Sequence, residues 1–392
     1  MNQPRLIVID DEPDLAGFVC EVAGQTGYAV EQYHNAGLFI EQYDKRADVI
    51  VLDLMMPGMD GVEVIRFLAG IDCDTQLILI SGFDSGVLHS AQKLATEQGL
   101  NFAGSLNKPF RYDDLHKLLS ELSIMAKSAA RQIAFEAPPV DELRDALKNN
   151  ELLLHYQPKV GLNGYSVTAV EALVRWQHPV HGLLGPDLFI PVAEKHGLID
   201  DLTWIVLEQA MAQCQSWGEQ GLTVQIAVNM SSNTLKELDL PERMGDLVQR
   251  YGQEPSQLIF EVTETALMQE LTKSLDILTR LRMRGFHLSI DDFGTGYSSL
   301  VQLHRAPFSE IKIDRSFVMD MDRDKESYAI IETVIVLGHK LGMKVVAEGV
   351  ETQANLEQLA AMGCDLAQGY HIARPQPGVA TTVWLVEYNT VG

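Results

Sequence analysis

Two adjacent aspartates, Asp291 and Asp292, come directly after an apolar run at residues 286–290. A loop rich in glycine and hydroxyl side chains follows them, at residues 293–299. The pattern predicts a buried strand that ends in a carboxylate pair beneath a flexible loop, which suits a metal-binding active site. An isolated Asp-Asp pair is more often a solvated turn after a core strand, so the rest of the chain must decide between these interpretations.

Strand-like runs recur along the second part of the chain. Eight are found, at residues 152–160, 167–175, 224–229, 258–262, 286–291, 310–314, 344–348 and 366–370. Most of the later runs are separated by helical patterns, and eight strands over about 250 residues predict a (β/α)8 TIM-like barrel. The active site of such a barrel lies at the mouth formed by the C-terminal ends of its strands.

The residues predicted at that mouth are mainly carboxylates and amides, namely Gln157, Glu171, Asn229, Glu261, Glu264, Asp291, Asp292, Lys312, Asp314, Glu348 and Gln368. Strand alternation also places Arg175 on the same face as Glu171. Five or six carboxylates with one lysine cannot neutralise one another, so we expect cations at this mouth. Oxygen ligands favour Mg²⁺ or Mn²⁺ over Zn²⁺, and two such ions suit phosphodiester hydrolysis.

A different pattern occupies the first part of the chain. Strand-like runs at 6–9, 29–33, 49–52, 77–80 and 101–106 alternate with helical segments and predict a doubly wound, flavodoxin-like parallel sheet of five strands. Polar residues lie at the C-terminal ends of these runs, namely Asp10, Asp11, Asp53, Ser81 and Lys108. Any one alone is more often a surface residue. Together, the carboxylates need a divalent cation, and the hydroxyl and ammonium suit a phosphoryl group on one carboxylate.

Domain boundaries follow from these patterns. We expect the first domain at residues 1–122, a helical linker at 123–140 and the barrel at 141–392. Apolar residues at helical spacing extend the last helix of the first domain to Met125 or further, and Pro138 and Pro139 end the linker. The apolar side chains of this helix either pack on the sheet or make a dimer contact.

Composition limits the classes of partner. Acidic residues outnumber basic ones by 54 to 30, and the net charge of −24 argues against general binding to nucleic acid or to an anionic membrane. No apolar run is long enough to cross a bilayer. The four cysteines lack metal-ligand spacing and no signal peptide is evident, so we expect a cytoplasmic protein.

The first domain resembles the receiver domain of response regulators over its whole length. The resemblance implies that Asp53 accepts a phosphoryl group from a sensor histidine kinase or another phosphodonor. It further implies a set of metal and switch residues around Mg²⁺ and the phosphoryl group, namely Asp10, Asp11, Met55, Ser81 and Lys108. The family has an aromatic switch residue three positions before the lysine. Here that residue is Ser105, so the usual aromatic output is in doubt.

Seven motifs in the second domain carry a second resemblance, in the order EALVRW, AVNMS, FEVTET, IDDFGTGYSSL, IKIDRSF, VVAEGVET and AQGYHIARP. On these, residues 141–378 resemble EAL-type cyclic di-GMP phosphodiesterases. The resemblance implies two Mg²⁺ or Mn²⁺ ions held by Glu171, Asn229, Glu261, Asp291 and Asp292. It implies catalytic roles for Lys312, beside the attacking water, and for Glu348, as a general base or as a metal ligand through a water molecule.

The same resemblance assigns supporting roles. Contacts to the substrate or to the shell around the metals are implied for Gln157, Arg175 and Gln368. Residues behind the ligands are Glu264, Asp314 and Glu351, of which Glu264 anchors the loop after the fifth strand.

The expected function is therefore a response regulator that hydrolyses cyclic di-GMP to linear pGpG, under control of phosphorylation at Asp53. The resemblance also implies a homo-oligomer formed through the EAL domain. Two alternatives are a receptor that binds cyclic di-GMP without cleaving it and a scaffold whose receiver docks another protein. Receptors of that kind typically lack metal ligands, and none is missing here.

Overall fold

The computed structural model describes residues 3–44, 46–71, 73–82, 85–129, 138–294 and 300–391. The chain divides into two compact units, residues 1–135 and 136–392. Part of the predicted linker, residues 130–137, lies outside the described residues, as does most of the predicted glycine-rich loop, residues 295–299. No helix in the described ranges has the length and apolar character of a membrane span.

The N-terminal unit is the predicted five-stranded parallel sheet. Its strands are β1 (Arg5–Ile9), β2 (Ala29–Tyr33), β3 (Val49–Asp53), β4 (Gln76–Ser81) and β5 (Asn101–Asn107). Its helices are α1 (Pro13–Gln25), α2 (Ala36–Gln42), α3 (Gly61–Gly70), α4 (Ser85–Glu97) and α5 (Tyr112–Ala129). The strand order β2-β1-β3-β4-β5 confirms the doubly wound, flavodoxin-like fold.

Both faces of this sheet are buried, because alternate residues of each apolar strand point to opposite sides. One face packs on α2, α3 and α4 through side chains such as Ile50, Leu52 and Val64. The other face packs on α1 and α5 through side chains such as Val51, Val19 and Leu115. The near-continuous apolar runs of β1, β3 and β4 are therefore explained by burial on two sides.

The C-terminal unit contains a closed barrel. Its strands are β6 (Leu152–Gly161), β7 (Val167–His178), β8 (Gly182–Leu184), β9 (Gln225–Asn229), β10 (Leu258–Thr263), β11 (His287–Phe293), β12 (Glu310–Ile313), β13 (Lys344–Ala347), β14 (Leu366–Ala367) and β15 (Gln376–Pro377). Eight of these, all except β8 and β15, form the barrel wall, and pairing of β6 with both β7 and β14 closes it.

The helices of this unit are α6 (Val140–Asn149), α7 (Pro186–Lys195), α8 (Ile199–Glu219), α9 (Leu240–Arg250), α10 (Glu264–Gln269), α11 (Leu271–Met283), α12 (Leu300–Arg305), α13 (Arg315–Asp320), α14 (Lys325–Lys340), α15 (Gln353–Ala361) and α16 (Gly378–Val391). Most of them connect successive parallel strands, as the predicted βα units require.

The first barrel strand departs from a regular (β/α)8 barrel. β6 runs antiparallel to both of its neighbours in the wall, whereas the other strands of the wall are parallel to one another. Only residues 162–166 connect β6 to β7, which is too short for a helical crossover and forces an antiparallel hairpin. The N-terminal half of β6 therefore faces the mouth, and Gln157 lies opposite Glu171 in the middle of its strand rather than near the end.

A bulge in β11 lies at the two aspartates. The pairing of β11 with β12 joins Ile290 to Ile311 and Phe293 to Ile313, so β11 carries one extra residue across this step. Asp292 takes up the irregularity in a left-handed conformation, with φ of 54°. In a regular strand, consecutive side chains point to opposite faces, so the bulge releases Asp291 and Asp292 from that alternation.

Candidate active site

The mouth of the barrel contains a cleft of about 610 Å³. Seven of the residues predicted from the sequence line it, namely Gln157, Glu171, Asp291, Lys312, Glu348, Glu351 and Gln368. They come from the strands β6, β7, β11 and β12 and from the segments directly after β13 and β14. The barrel thus brings together side chains that lie up to about 200 residues apart, as its topology requires.

Lys312 lies at the centre of the acidic cluster. Its ammonium nitrogen is 2.6 Å from Glu348 Oε1 and 3.0 Å from both Glu261 Oε2 and Asp291 Oδ2, with Glu171 Oε2 at 3.8 Å. The lysine is fully buried. Burial lowers its pKa, but the surrounding carboxylates outweigh that effect and hold the pKa well above its usual value. Lys312 is therefore a fixed positive charge between the carboxylates.

An amide network orients Glu171. The Gln368 side-chain nitrogen donates to Glu171 Oε2 at 2.6 Å and to Gln157 Oε1 at 3.0 Å. The Asn229 amide donates to Glu171 Oε1 at 2.9 Å. Gln157 in turn donates to the backbone carbonyl of Ala373. Both oxygens of Glu171 are thus held by residues that the sequence predicted at the same site.

A second buried lysine corrects the prediction of a single lysine at this site. Lys159 is 0 % exposed, and its ammonium donates to Glu261 Oε1 at 2.6 Å and to Glu310 Oε1 at 3.2 Å. Sequence reasoning missed both Lys159 and Glu310. The signal was their placement two residues deeper than Gln157 and Lys312 on strands whose alternate residues face inward.

The surrounding charges and burial give the carboxyl groups of the cluster different pKa values. Burial raises the pKa of Glu261, but Lys159 and Lys312 outweigh burial and lower it to about 2. Burial raises the pKa of Glu348 to about 8, despite its contact with Lys312. The pKa of Glu171 is also raised, by burial and then by Glu261. Glu261 is therefore the firmly ionised member, and Glu348 is the one best suited to exchange a proton near neutral pH.

Asp291 and Asp292 differ in environment although they are adjacent. Asp291 is buried and bonds Lys312, and its Oδ1 accepts a hydrogen bond from the backbone nitrogen of Asp292. Asp292 is half-buried, and burial together with Asp291 raises its pKa to about 6. The bulge therefore places two unlike carboxylates next to each other at the edge of the cleft.

The donor set fits divalent cations. The carboxyl groups of Glu171, Glu261, Asp291 and Glu348 converge on the ammonium of Lys312, and Lys159 bonds Glu261 as well, so carboxyl groups outnumber ammonium groups at the mouth. Oxygen donors with excess negative charge are the ligands that Mg²⁺ and Mn²⁺ take in proteins. The residues that would hold such ions are the predicted set of Glu171, Asn229, Glu261, Asp291 and Asp292.

The remaining predicted residues lie around this centre. Arg175 is half-buried on the same strand as Glu171, and its guanidinium donates to the carbonyl of Val174. Asp314 caps α13 by accepting from the backbone nitrogen of Ser316, and Glu351 lines the cleft from an exposed position. Glu264 is buried, and neither of its carboxylate oxygens has a hydrogen-bond partner among the described residues.

The N-terminal unit has its own acidic site. Asp10, Asp11 and Asp53 each offer a carboxylate oxygen within 4.8 Å of the others, which fits one divalent cation. The ammonium of Lys108 lies 2.8 Å from Asp53 Oδ2 and 3.1 Å from Asp10 Oδ2. Burial lowers the pKa of Lys108, but its bonds to Asp53, Glu12 and Asp10 outweigh burial and raise it.

Other predicted residues surround Asp53. The Met55 backbone nitrogen donates to Asp53 Oδ1 at 3.0 Å, while the Met55 side chain is exposed. Ser81 is fully buried at the end of β4, and its carbonyl accepts from the backbone nitrogen of Lys108 at 2.7 Å. The Lys108–Pro109 peptide bond is cis. Ser105 lies half-buried on β5, in place of an aromatic residue.

Comparison with known families agrees with this geometry. The family model for the EAL domain matches residues 140–375. The chain belongs to the EAL domain family. The model for the response regulator receiver domain matches residues 6–120, so both resemblances seen in the sequence are confirmed.

Individual relatives share one or both domains. Cyclic di-GMP phosphodiesterase RocR of Pseudomonas aeruginosa is 38% identical, with 96% of this chain and 97% of RocR covered. Among solved structures, the MucR phosphodiesterase in complex with c-di-GMP is 44% identical with a TM-score of 0.60, covering 62% of this chain and 98% of that chain; MucR is also from P. aeruginosa. An EAL domain protein from Listeria monocytogenes is 30% identical with a TM-score of 0.58, covering 64% and 98%.

Proposed function

We propose that this chain is a response regulator that hydrolyses cyclic di-GMP to linear pGpG. The observation that carries the proposal is the convergence of four carboxylates on the buried Lys312 at the barrel mouth. It is supported by similarity over nearly the whole chain to RocR, which is described as a cyclic di-GMP phosphodiesterase. It is also supported by the structural likeness to a MucR phosphodiesterase that was solved with c-di-GMP.

Charge explains why such a substrate needs cations here. The chain carries a net charge of −24, and cyclic di-GMP carries two phosphodiester charges of the same sign. Two divalent ions held by Glu171, Asn229, Glu261, Asp291 and Asp292 would offset that repulsion, lower the pKa of a coordinated water and stabilise charge on the reacting phosphate. Whether the ions are Mg²⁺ or Mn²⁺, the ligand atoms are the same.

The chain's own residues supply the remaining steps. Lys312, which stays protonated among the carboxylates, orients the attacking water and stabilises negative charge on the phosphate. Glu348 accepts the proton of that water, because burial raises its pKa to about 8. Attack in line with the ribose 3′ oxygen opens one of the two diester bonds and yields pGpG.

Substrate positioning falls to the polar residues of the rim. Gln157 and Gln368 line the cleft and are fixed by their bond to each other and by the bond of Gln368 to Glu171. Arg175, half-buried on β7, offers a guanidinium to the substrate. Fixed donors of this kind orient the reacting phosphate without further ordering of side chains.

Control of hydrolysis is assigned to the N-terminal unit. In the unphosphorylated site Lys108 bonds Asp53 directly, so a phosphoryl group on Asp53 would take over that ammonium. The phosphodonor is a sensor histidine kinase or a small phosphodonor. Because Ser105 replaces the aromatic switch residue, we propose that the signal leaves through backbone and hydroxyl changes at Ser81.

Assembly and location complete the proposal. We assign a homo-oligomer formed through the EAL domain, in which Glu264 anchors the loop that follows β11. The buried, unpartnered oxygens of Glu264 support this role, since the described residues offer them no donor. The four cysteines are free thiols, which suits the cytoplasm that we propose.

The test is turnover of cyclic di-GMP by the purified chain with Mn²⁺ or Mg²⁺, with the product identified by mass spectrometry. We expect pGpG, loss of activity with EDTA, and loss in Glu171→Ala and Asp291→Ala. Glu357→Ala, which removes an exposed carboxylate on α15, should leave turnover unchanged. Tight binding without turnover would replace the proposal with the receptor alternative, and absence of both would overturn it.

The regulatory part has its own test. Turnover is measured before and after treatment with acetyl phosphate, in the natural chain and in Asp53→Ala. A change that requires Asp53 supports control by phosphorylation. Equal turnover in all four samples would favour a scaffold in which the receiver acts on another protein.

A further inference from the structure

A buried charged group lies beneath the metal-binding residues of the barrel. Lys159 is 0 % exposed and Glu310 is 5 % exposed, and both lie inside the barrel wall. Barrel interiors are usually filled by branched apolar side chains, so a lysine and a glutamate there require an explanation. Burying two charges is seldom favourable for stability alone, because the desolvation cost offsets their attraction.

Strand register places Lys159 deeper in the barrel than Gln157, and Glu310 lies two residues before Lys312 on β12. Lys159 lies opposite Ala169, whereas Gln157 lies opposite Glu171, so the lysine is two residues deeper on β6. Glu310 on β12 pairs with Ser289 on the adjacent strand β11, and Ser289 pairs with Glu261 on β10. Ala169, the residue opposite Lys159, belongs to a buried cluster with Ala227 and Ile259.

Lys159 contacts only one of the two carboxylate oxygens of Glu261, a predicted metal ligand. Its ammonium lies 2.6 Å from Glu261 Oε1, and Lys312 lies 3.0 Å from Glu261 Oε2. Glu310 Oε1 holds the same ammonium from the other side at 3.2 Å. The Glu261 carboxylate is therefore fixed from below through Oε1, while Oε2 faces Lys312 and the mouth.

We propose that Lys159, held in place by Glu310, is a positioning residue that fixes the Glu261 carboxylate for the divalent cations at the barrel mouth. The inference rests on the proposed function, because it assigns to Glu261 the role of a metal ligand. Hydrogen-bond partners behind a ligand orient it, and their loss typically weakens metal affinity or activity by about 10- to 100-fold.

A purely structural role makes a different prediction. If Lys159 only neutralised Glu310, then removing both charges together would restore both the stability and the Mn²⁺ affinity of the natural protein. If Lys159 positions Glu261, the double change restores part of the stability but not the metal affinity, because Glu261 Oε1 still lacks its donor. The two roles are therefore separated by comparing Lys159→Met with Lys159→Met/Glu310→Gln.

The experiment measures the Mn²⁺ dissociation constant by electron paramagnetic resonance of free Mn²⁺, and thermal unfolding by tryptophan fluorescence. All proteins carry Asp10→Asn and Asp11→Asn, so that Mn²⁺ bound at the receiver site does not contribute. Ile259→Val is the matched control, since it trims the same interior layer without touching Glu261.

We expect Lys159→Met to lower the unfolding temperature and to weaken Mn²⁺ binding by about 10- to 100-fold. The double variant should recover part of the lost unfolding temperature, since Glu310 no longer carries an unpaired charge, and keep the weakened binding, whereas Ile259→Val should bind Mn²⁺ normally. Normal Mn²⁺ affinity in the double variant would overturn the inference. Failure of the parent protein to bind Mn²⁺ would instead count against the proposed function itself.

Discussion

Replacing Lys312 by methionine tests whether its ammonium and the divalent cations use the same carboxylates. Methionine keeps an unbranched side chain, one atom shorter than that of lysine, and removes the charge. In the absence of metal, Glu348, Glu261 and Asp291 then lose a partner that lies within 3.0 Å. Breaking a buried ion pair by removing one partner costs about 3–5 kcal/mol, so we expect the free energy of unfolding to fall by that amount.

Divalent cations should reverse much of this loss. Ligand binding at about 100 times Kd stabilises a folded protein by about 2.7 kcal/mol. In the natural protein, a cation must compete with Lys312 for oxygens of Glu261 and Asp291. In the variant it does not, so Mn²⁺ should raise the unfolding free energy of Lys312→Met more than that of the natural chain. Turnover of cyclic di-GMP should nevertheless be lost.

The assay is urea denaturation with EDTA or with Mn²⁺, followed by tryptophan fluorescence. All four tryptophans lie in the C-terminal unit, at positions 176, 204, 217 and 384, so the signal reports the barrel rather than the receiver. Lys344→Met is the control, because Lys344 is an exposed lysine at the start of the neighbouring strand β13. A stability difference between Lys312→Met and the natural chain that is the same with and without Mn²⁺ would refute the reasoning.

Four further predictions concern single side chains. Asp53→Ala should abolish phosphoryl uptake from acetyl phosphate, as detected by intact-mass measurement, while metal-dependent turnover persists. Gln368→Leu removes a donor to Glu171 and should raise the Mn²⁺ concentration needed for half-maximal turnover by about 10- to 100-fold; an unchanged value would exclude this bond as support for the ligand. Glu261 has a folded-state pKa lowered from 4.5 to about 2, so its contribution to metal-free stability is present above pH 4.5 and is lost as the pH falls towards 2. Acid unfolding in EDTA should show a shallower dependence on pH over this window in Glu261→Gln. Glu264→Ala should lower turnover more than it lowers the unfolding temperature, and loss of both in parallel would indicate packing alone.

Most of the fold could be predicted from the sequence, because hydrophobic periodicity records which faces are buried. The all-apolar runs of β1, β3 and β4 indicated a sheet covered on both sides, and the structure has helices on both faces. The antiparallel direction of β6 could also have been predicted from the sequence, because the connection at residues 162–166 is too short for a crossover. The length of this connection is by itself enough to predict an antiparallel hairpin.

Only part of the site was predictable from the sequence. The acidic residues were predicted from their positions at the ends of strands, because a barrel brings those ends together at one mouth. The bulge at Asp291 and Asp292 was not predictable, since one extra residue in a strand leaves no mark on an apolar pattern. The pairing of Lys159 with Glu310 joins residues that are 151 positions apart in the sequence, and only the closed barrel shows that the two face each other.

The left-handed conformation of Asp292 has a consequence for how this protein can change over time. At a φ of 54°, aspartate and asparagine are well tolerated, whereas branched side chains are strained. Replacement by asparagine takes a single nucleotide change and removes a carboxylate without disturbing the backbone. Under the proposed assignment of Asp292 as a metal ligand, the barrel would lose catalysis while it keeps its shape and its cleft, so a non-cleaving descendant would lie one mutational step from the enzyme.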